Sequence, residues 1–182
     1  MLIGIAGTLG AGKGTVVEYL KEKGFAHYSV REFLWQEVDR RGLKRVRDNL
    51  SIVANDLRAQ GGAEHIIKEI YKQASQESQS AIIESLHTMG EANFLRENQA
   101  IIFGVTADIK VRYERIKLRG TETDDLSFEK FVEDNNREIA SDDPSQHNIQ
   151  AVIDSADYKI TNNGTLEDLH AQIDVILQKL GL

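Results

Sequence analysis

A glycine-rich segment near the start of the chain carries the most specific chemical signal in the sequence, Gly7-Thr8-Leu9-Gly10-Ala11-Gly12-Lys13-Gly14-Thr15. Glycines let the backbone curl so that successive N–H groups point at one anion, and the N-terminus of a following helix adds partial positive charge. The ammonium group of Lys13 would then reach the outer phosphates of a polyphosphate chain. The spacing of Gly7, Gly12 and Lys13 therefore predicts a phosphate-binding loop. A glycine-rich turn without a ligand is the alternative.

The segments on either side of this loop favour the phosphate-binding interpretation. An apolar run at residues 2–6, too short for a helix, comes before it, and Val16, Val17 and Leu20 recur after it on one side of a helix. Strand, glycine-rich turn and helix in this order is the context that a phosphate-binding loop needs. The general pattern has Ser or Thr directly after the lysine, whereas this chain has Gly14 and then Thr15. We therefore expect Thr15 to bind Mg²⁺ through water.

Glu84 is the second candidate ligand of the metal and of the substrates. It ends the apolar run at residues 80–84, which predicts a buried strand. Parallel strands present their carboxyl ends to the ligand crevice, and a carboxylate next to a core is costly unless it has a partner. We expect Glu84 to help hold hydrated Mg²⁺, again through water.

Three further residues are candidates for binding the phosphoryl acceptor. Arg31 and Glu32 open a predicted helix. Ser29 with Glu32 fits a capping box, which is the structural alternative for Ser29 and Glu32. Arg31 has a guanidinium group suited to an anionic acceptor. Arg58 lies near the end of a predicted helix at residues 48–60, where it either complements the helix dipole or faces the acceptor.

A further set of arginines predicts a flap over the loop. Arg112, Arg115 and Arg119 are spaced to share one helical face, where they either meet acidic neighbours or a triphosphate. A polar stretch at residues 120–125 breaks this helix, and a second predicted helix at residues 127–140 carries Arg137. A helix, loop and helix of this kind can close over phosphates and exclude water.

The remaining pattern predicts the fold class. Five apolar β-runs alternate with helical segments along 182 residues, which indicates an α/β protein with a parallel sheet covered on both faces. With one proline and no linker-like stretch, we expect a single domain over residues 1–182. Within it, residues of about 30–75 form the acceptor-side helical region and residues of about 112–140 form the lid.

Composition narrows the function classes. A net charge of −7 argues against binding to nucleic acid through overall attraction, and zero cysteines exclude disulfides and thiolate metal sites. No run approaches 18 apolar residues and no basic leader precedes the first strand, so we expect a cytoplasmic protein without a membrane partner. Oligomeric state is not readable from these features.

With these residues in place, a family resemblance can be stated. The loop at residues 7–15 resembles that of the nucleoside monophosphate kinases, and residues 112–120 and 156–164 resemble a subgroup related to adenylate kinase. That subgroup includes archaeal adenylate-kinase-like proteins, dephospho-CoA kinase and deoxynucleoside monophosphate kinases. The resemblance implies a three-layer P-loop NTPase fold with a five-stranded parallel sheet and a small helical lid, and it implies ATP and Mg²⁺ as cofactors.

The resemblance also assigns roles to residues. It places the ATP phosphates against Gly7, Gly10, Ala11, Gly12, Lys13, Gly14 and Thr15, the lid arginines at Arg115, Arg119 and Arg137, and the nucleotide base against Asn162, Asn163 and Gly164. It puts Arg58 on the acceptor side. Trp35 stands where many relatives have an arginine, so either Arg31 compensates or the acceptor differs.

The implied activity is transfer of the γ-phosphoryl group of ATP to a (deoxy)nucleoside monophosphate. Dephospho-CoA kinase activity is the enzymatic alternative, because its acceptor is a ribose hydroxyl for which Glu32 is a candidate general base. A regulatory module that binds a nucleotide without transfer is the third possibility.

Overall fold

The structure, a computed structural model, describes residues 1–120, 127–139 and 148–182, and of residues 47 and 137–139 it describes the backbone only. In these ranges the strands are β1 (Leu2–Gly7), β2 (Ala26–Ser29), β3 (Ala81–Leu86), β4 (Ile101–Thr106) and β5 (Tyr158–Thr161). The helices are α1 (Lys13–Glu22), α2 (Val30–Arg40), α3 (Arg47–Gly61), α4 (His65–Glu77), α5 (Met89–Glu97), α6 (Ile109–Arg119), α7 (Phe128–Ile139), α8 (Ile149–Asp154) and α9 (Leu166–Lys179).

The strands form one five-stranded parallel sheet in the order β2-β3-β1-β4-β5. After β3 the chain crosses to the other side of β1 to form β4, so the switch point of the topology lies at the carboxyl end of β1. Ligands of open α/β sheets bind at such a point. The glycine-rich loop follows β1 directly and therefore occupies this position.

Helices cover both faces of the sheet, as the sequence predicts. One buried apolar cluster joins the sheet to α2, α3, α4, α5 and α8, and the other joins it to α1 and α9. Ile3 and Ile5 of β1 belong to the second cluster and are fully buried, while Ala6 belongs to the first. The strand that precedes the loop is thus held from both sides.

Local capping explains where several of the helices begin. Thr88 with Glu91 and Thr165 with Asp168 form reciprocal capping boxes at the starts of α5 and α9. At the start of α2, Ser29 accepts a hydrogen bond of 3.4 Å from the Glu32 N–H. The Ser29 bond is one half of the capping box that the sequence analysis gives as the structural alternative for Ser29 and Glu32.

One detail differs from the sequence prediction. β3 continues to Leu86, so Glu84 lies inside the strand rather than at its end. A β-bulge shifts the pairing at this point, with Ser85 at a φ of 71° as the extra residue.

The predicted subregions correspond to recognisable elements. Residues 30–75 contain α2, α3 and most of α4, and residues 112–140 contain most of α6 and the helix α7. Residues 121–126 and 140, also in the predicted lid, lie outside the described residues. None of the helices in the described ranges has the length and apolar character needed to span a membrane.

Candidate functional site

The glycine-rich loop runs from the end of β1 to the first turn of α1. A tight turn closes it, with the Ala11 N–H donating to the Thr8 carbonyl at 3.2 Å. Gly12 is the N-cap of α1 and has a φ of 94° and a ψ of 25°, a left-handed conformation that residues with a Cβ rarely adopt. The orphan N–H groups at the start of α1 therefore belong to the loop itself, which is the arrangement that binds phosphate.

Lys13 lies along the loop. Its ammonium donates to the Gly7 carbonyl at 2.6 Å and to the Thr8 carbonyl at 3.2 Å. A Cβ on Gly7 would lie 2.6 Å from the Val105 carbonyl oxygen and 2.9 Å from the Lys13 Cγ, so only glycine leaves room for the lysine stem. The positive charge is thereby held at the mouth of the loop.

Asn162 braces the loop from the end of β5. It is buried, its Nδ2 donates to the Ala11 carbonyl at 3.0 Å, and its side chain occupies the space that a Cβ on Gly12 would need. Arg115 donates to the Asn162 backbone carbonyl at 2.9 Å and to its Oδ1 at 3.3 Å. The structure thus brings together Asn162, Arg115 and the loop, all of which the sequence analysis singles out.

The two residues after Asn162 contact other parts of the chain. Asn163 accepts a hydrogen bond of 2.8 Å from the Asp108 N–H at the start of α6, and Gly164 packs beside Asp168. Both residues are exposed. The predicted contact of residues 162–164 with a nucleotide base stays a prediction.

Arg112 shares the helical face that the sequence analysis describes, but the family resemblance assigns no role to it. Its side chain is buried, and its guanidinium donates to the Ala107 carbonyl at 3.0 Å, the Leu9 carbonyl at 3.2 Å and Asn135 Oδ1 at 2.9 Å. It also lies over the ring of Phe131, 5.6 Å from its centroid. Arg112 therefore joins the phosphate loop to α7 of the predicted lid. The sequence spacing places Arg112, Arg115 and Arg119 on one helical face. Spacing alone does not show which of the three side chains is buried.

The other predicted lid arginines are less closely placed. Arg119 is exposed at the end of α6. Arg137 lies in α7, but its side chain lies outside the described residues. Their contact with a transferring phosphoryl group stays a prediction.

Glu84 and Thr15 are the predicted metal-binding residues. The Glu84 carboxylate lies 3.4 Å from Nε2 of His27, and this neighbour lowers the pKa of Glu84, with partial burial opposing the effect and Ser29 and Lys13 adding to it. Glu84 is therefore an anion at neutral pH, within the electrostatic reach of Lys13. Thr15 and Gly14 are exposed in the first turn of α1. A hydroxyl and a charged carboxylate are hard oxygen donors, which suit a Mg²⁺ ion that keeps several waters.

A cavity of about 660 Å³ lies in the predicted acceptor-side region, against β2, α2 and α4. Arg31 and Glu32 line it, as do Ser29 and His27, the latter being the neighbour of Glu84. This volume is in the range of small-molecule sites. The structure thus places two of the predicted acceptor-binding residues at one cavity beside Glu84.

Arg58 does not line this cavity. It is half-buried on α3, and its charge lowers the pKa of the Glu91 carboxyl, although burial is the larger effect and raises that pKa. Glu91 accepts hydrogen bonds from the N–H groups of His87 at 2.8 Å and Thr88 at 3.1 Å. Arg58 therefore lies near the start of α5, which follows the carboxyl end of β3.

Comparisons with known proteins agree with this architecture. The chain matches the profile of AAA_18, an AAA domain family, over residues 3–143. It is 30% identical to UPF0200 protein MJ1399 of Methanocaldococcus jannaschii, and the match covers 99% of this chain and 90% of that protein.

Solved kinase structures share the fold. Shikimate kinase from Aquifex aeolicus superposes with a TM-score of 0.58 at 16% identity, covering 100% of this chain and 98% of that one. Dephospho-CoA kinase from Campylobacter jejuni superposes with a TM-score of 0.57 at 16% identity, covering 98% and 96%. Identity this low supports the fold and leaves the substrate open. The chain has the P-loop kinase fold and belongs to the AAA_18 family, and through its relative MJ1399 to the UPF0200 proteins.

Proposed function

We propose that this protein is an ATP-dependent kinase that transfers the γ-phosphoryl group to a (deoxy)nucleoside monophosphate. The observation that carries the proposal is the phosphate loop at the switch point of the sheet. There Lys13 donates to two loop carbonyls, and Asn162 ties the loop to Arg115.

Each group has a defined task in this reaction. The loop amides and Lys13 hold the β- and γ-phosphates of ATP, because N–H groups and an ammonium neutralise the charge of the oxygens. An oxygen of the acceptor's phosphate forms a bond to the γ-phosphorus while the bond from that phosphorus to the β,γ-bridging oxygen breaks. The products are ADP and a nucleoside diphosphate. Arg115, and the lid arginines Arg119 and Arg137, stabilise the transferring group.

Thr15 and Glu84 would hold a Mg²⁺ ion, which when bound neutralises charge on the β- and γ-phosphates. The low pKa of Glu84 supports this role, because the carboxylate stays charged without uptake of a proton. Lys13 remains within the field of that carboxylate, so the cation and the anion are positioned together at the mouth of the loop.

Dephospho-CoA kinase activity is the second candidate. It is supported by the exposed carboxylate of Glu32 at the acceptor-side cavity, since a hydroxyl acceptor needs a group that removes its proton. The fold shared with the Campylobacter jejuni enzyme is compatible with it.

A panel of acceptors tests the proposal. We would incubate the protein with ATP and Mg²⁺ and with AMP, CMP, dCMP, dGMP, dTMP, dephospho-CoA or shikimate in turn, and measure ADP release. The proposal predicts rapid ADP release with at least one nucleoside monophosphate. Release with dephospho-CoA alone would support the second candidate, and ATP binding without ADP release across the panel would indicate a non-catalytic module.

A further inference from the structure

The acceptor-side cavity has one flat aromatic wall. Trp35, the single tryptophan of the chain, lines the cavity and packs against the apolar cluster of α2, α3 and α4. The Arg45 guanidinium lies over the indole ring, 5.8 Å from its centroid. Arg45 also lines the cavity, so an indole and a guanidinium, both planar groups, lie side by side at this wall.

This wall is held in place before any ligand arrives. Asp39 accepts hydrogen bonds from Arg45 Nε at 3.1 Å and Nη2 at 2.6 Å, which is a two-point contact between planar groups. Half-buried Trp35 is fixed from behind by the core. A planar ligand ring laid on this wall meets an indole or a guanidinium, and both stack on flat π-systems.

Polar groups on the same stretch of α2 complete the cavity. Within the described part of the chain, neither the Gln36 amide nor the Arg31 guanidinium has a hydrogen-bond or ion-pair partner, and both side chains are exposed at the cavity. Gln36 offers two donors and an acceptor to the edge of a ring. Arg31 lies in the first turn of α2, where a cation is disfavoured by the helix dipole unless an anion binds there.

The spacing of these groups fits one molecule. Arg31 and Trp35 are four residues apart, so they share a helix face and are separated by about 6 Å along the axis. His27, which also lines the cavity, contacts Glu84, whose carboxylate lies within the field of Lys13. A ligand with a ring at Trp35 and an anionic group at Arg31 would therefore point its anion toward the phosphate loop.

We propose that Trp35 and Arg45 form the base-recognition wall of the acceptor site, with Gln36 contacting the edge of the base and Arg31 attracting the phosphate. This inference rests on the proposed kinase function and names what selects its acceptor. A ligand without a heteroaromatic ring, such as shikimate or ribose 5-phosphate, gains nothing from this wall. The residue that departs from the pattern of related kinases, Trp35, thus sets acceptor specificity.

Intrinsic fluorescence tests the inference directly, because Trp35 is the only tryptophan. With excitation at 295 nm, we would titrate the wild-type protein with AMP, CMP, dCMP, dGMP and dTMP, and separately with ribose 5-phosphate and shikimate. The expected result is a saturable change in emission with at least one nucleotide and none with ribose 5-phosphate or shikimate, which lack a heteroaromatic ring. Saturation of phosphoryl transfer by an acceptor that leaves the emission unchanged would overturn the inference.

Variants separate this role from a structural one. Trp35→Ala should raise the acceptor KM by about tenfold or more, the usual effect of losing an aromatic platform for a base, while the Kd for ATP changes less than about twofold. Trp35→Phe should restore most of the loss. Val175→Ala, on the exposed side of α9, is the matched control and should change neither constant. An acceptor KM unaltered by Trp35→Ala would contradict the proposal.

The two proposals fail separately. ADP release reports the kinase function, whereas Trp35 emission reports the occupancy of the cavity. A change in emission with a nucleotide, together with no ADP release for any acceptor of the panel, would remove the kinase function and keep the base-recognition wall. Transfer to shikimate alone would keep a kinase and remove the wall.

Discussion

Replacing Gly12 by alanine should damage the phosphate loop far more than the same change at Gly14, two residues later. Gly12 has a φ of 94°, and a Cβ there would collide with the Nδ2 of Asn162. A non-glycine residue in this conformation costs about 1–2 kcal/mol. Moving Asn162 away would also weaken its hydrogen bonds with Ala11 and Arg115, at about 1 kcal/mol each.

These terms add up to about 3–4 kcal/mol, which corresponds to roughly a 140-fold to 700-fold weaker binding of ATP if the strain is relieved by leaving the binding-competent loop conformation. The assay is a calorimetric titration with a non-hydrolysable ATP analogue, together with urea unfolding to show that the fold persists.

Gly14→Ala is the matched control for this change. Gly14 lies two residues later in the same loop, but its φ is not in the left-handed region, and a Cβ there would meet nothing within 4 Å. Its ATP affinity should stay within about threefold of wild type. The double variant Gly12→Ala, Asn162→Ala removes the collision but also the hydrogen bonds of Asn162. Its ATP affinity should therefore stay below that of wild type. Equal affinities for the Gly12→Ala and Gly14→Ala proteins would refute the reasoning.

Three further predictions concern other parts of the site. Lys13→Ala should lower turnover by about a hundredfold or more, because it removes the ammonium that meets the phosphates. The unfolding midpoint should be retained, since the Lys13 side chain is only partly buried; wild-type rates of ADP release would remove the mechanism. Asn135→Ala should lower the free energy of unfolding by about 1.5–3 kcal/mol in a urea titration, because it removes a hydrogen-bond acceptor of the buried Arg112 guanidinium. Asn136→Ala, at the exposed neighbouring position, is the control, and an equal loss of unfolding free energy in both variants would contradict the bracing role. Burial raises the pKa of Glu91, so its contribution to stability is fully present below the ordinary value of 4.5 and is lost as the pH rises through the raised value. Glu91→Gln should therefore gain stability relative to wild type as the pH rises from 4.5 through that raised value. Parallel pH profiles of the free energy of unfolding for the two proteins would argue against this.

The sequence predicts the elements that local patterns specify. Apolar strands and the glycine-rich turn between β1 and α1 depend on neighbours within a few residues, and the structure confirms them. Helices on both faces of a parallel sheet follow from the alternation of these elements.

Contacts between distant elements could not be read in the same way. The helical face shared by Arg112, Arg115 and Arg119 is visible in the sequence, but the acceptors of Arg112 come from the loop and from α7, which lie far away in the chain. The bulge at Ser85 that carries β3 past Glu84 depends on its pairing with β1. The contact of His27 with Glu84 likewise depends on the register of β2 against β3.

The most direct measurement is a crystal structure of the protein with a non-hydrolysable ATP analogue and Mg²⁺. The account predicts that the analogue's β- and γ-phosphates lie against the amides of residues 10–15, with the Lys13 ammonium turned from the Gly7 and Thr8 carbonyls toward the phosphate oxygens. An analogue bound elsewhere, with Lys13 still on those carbonyls, would contradict it.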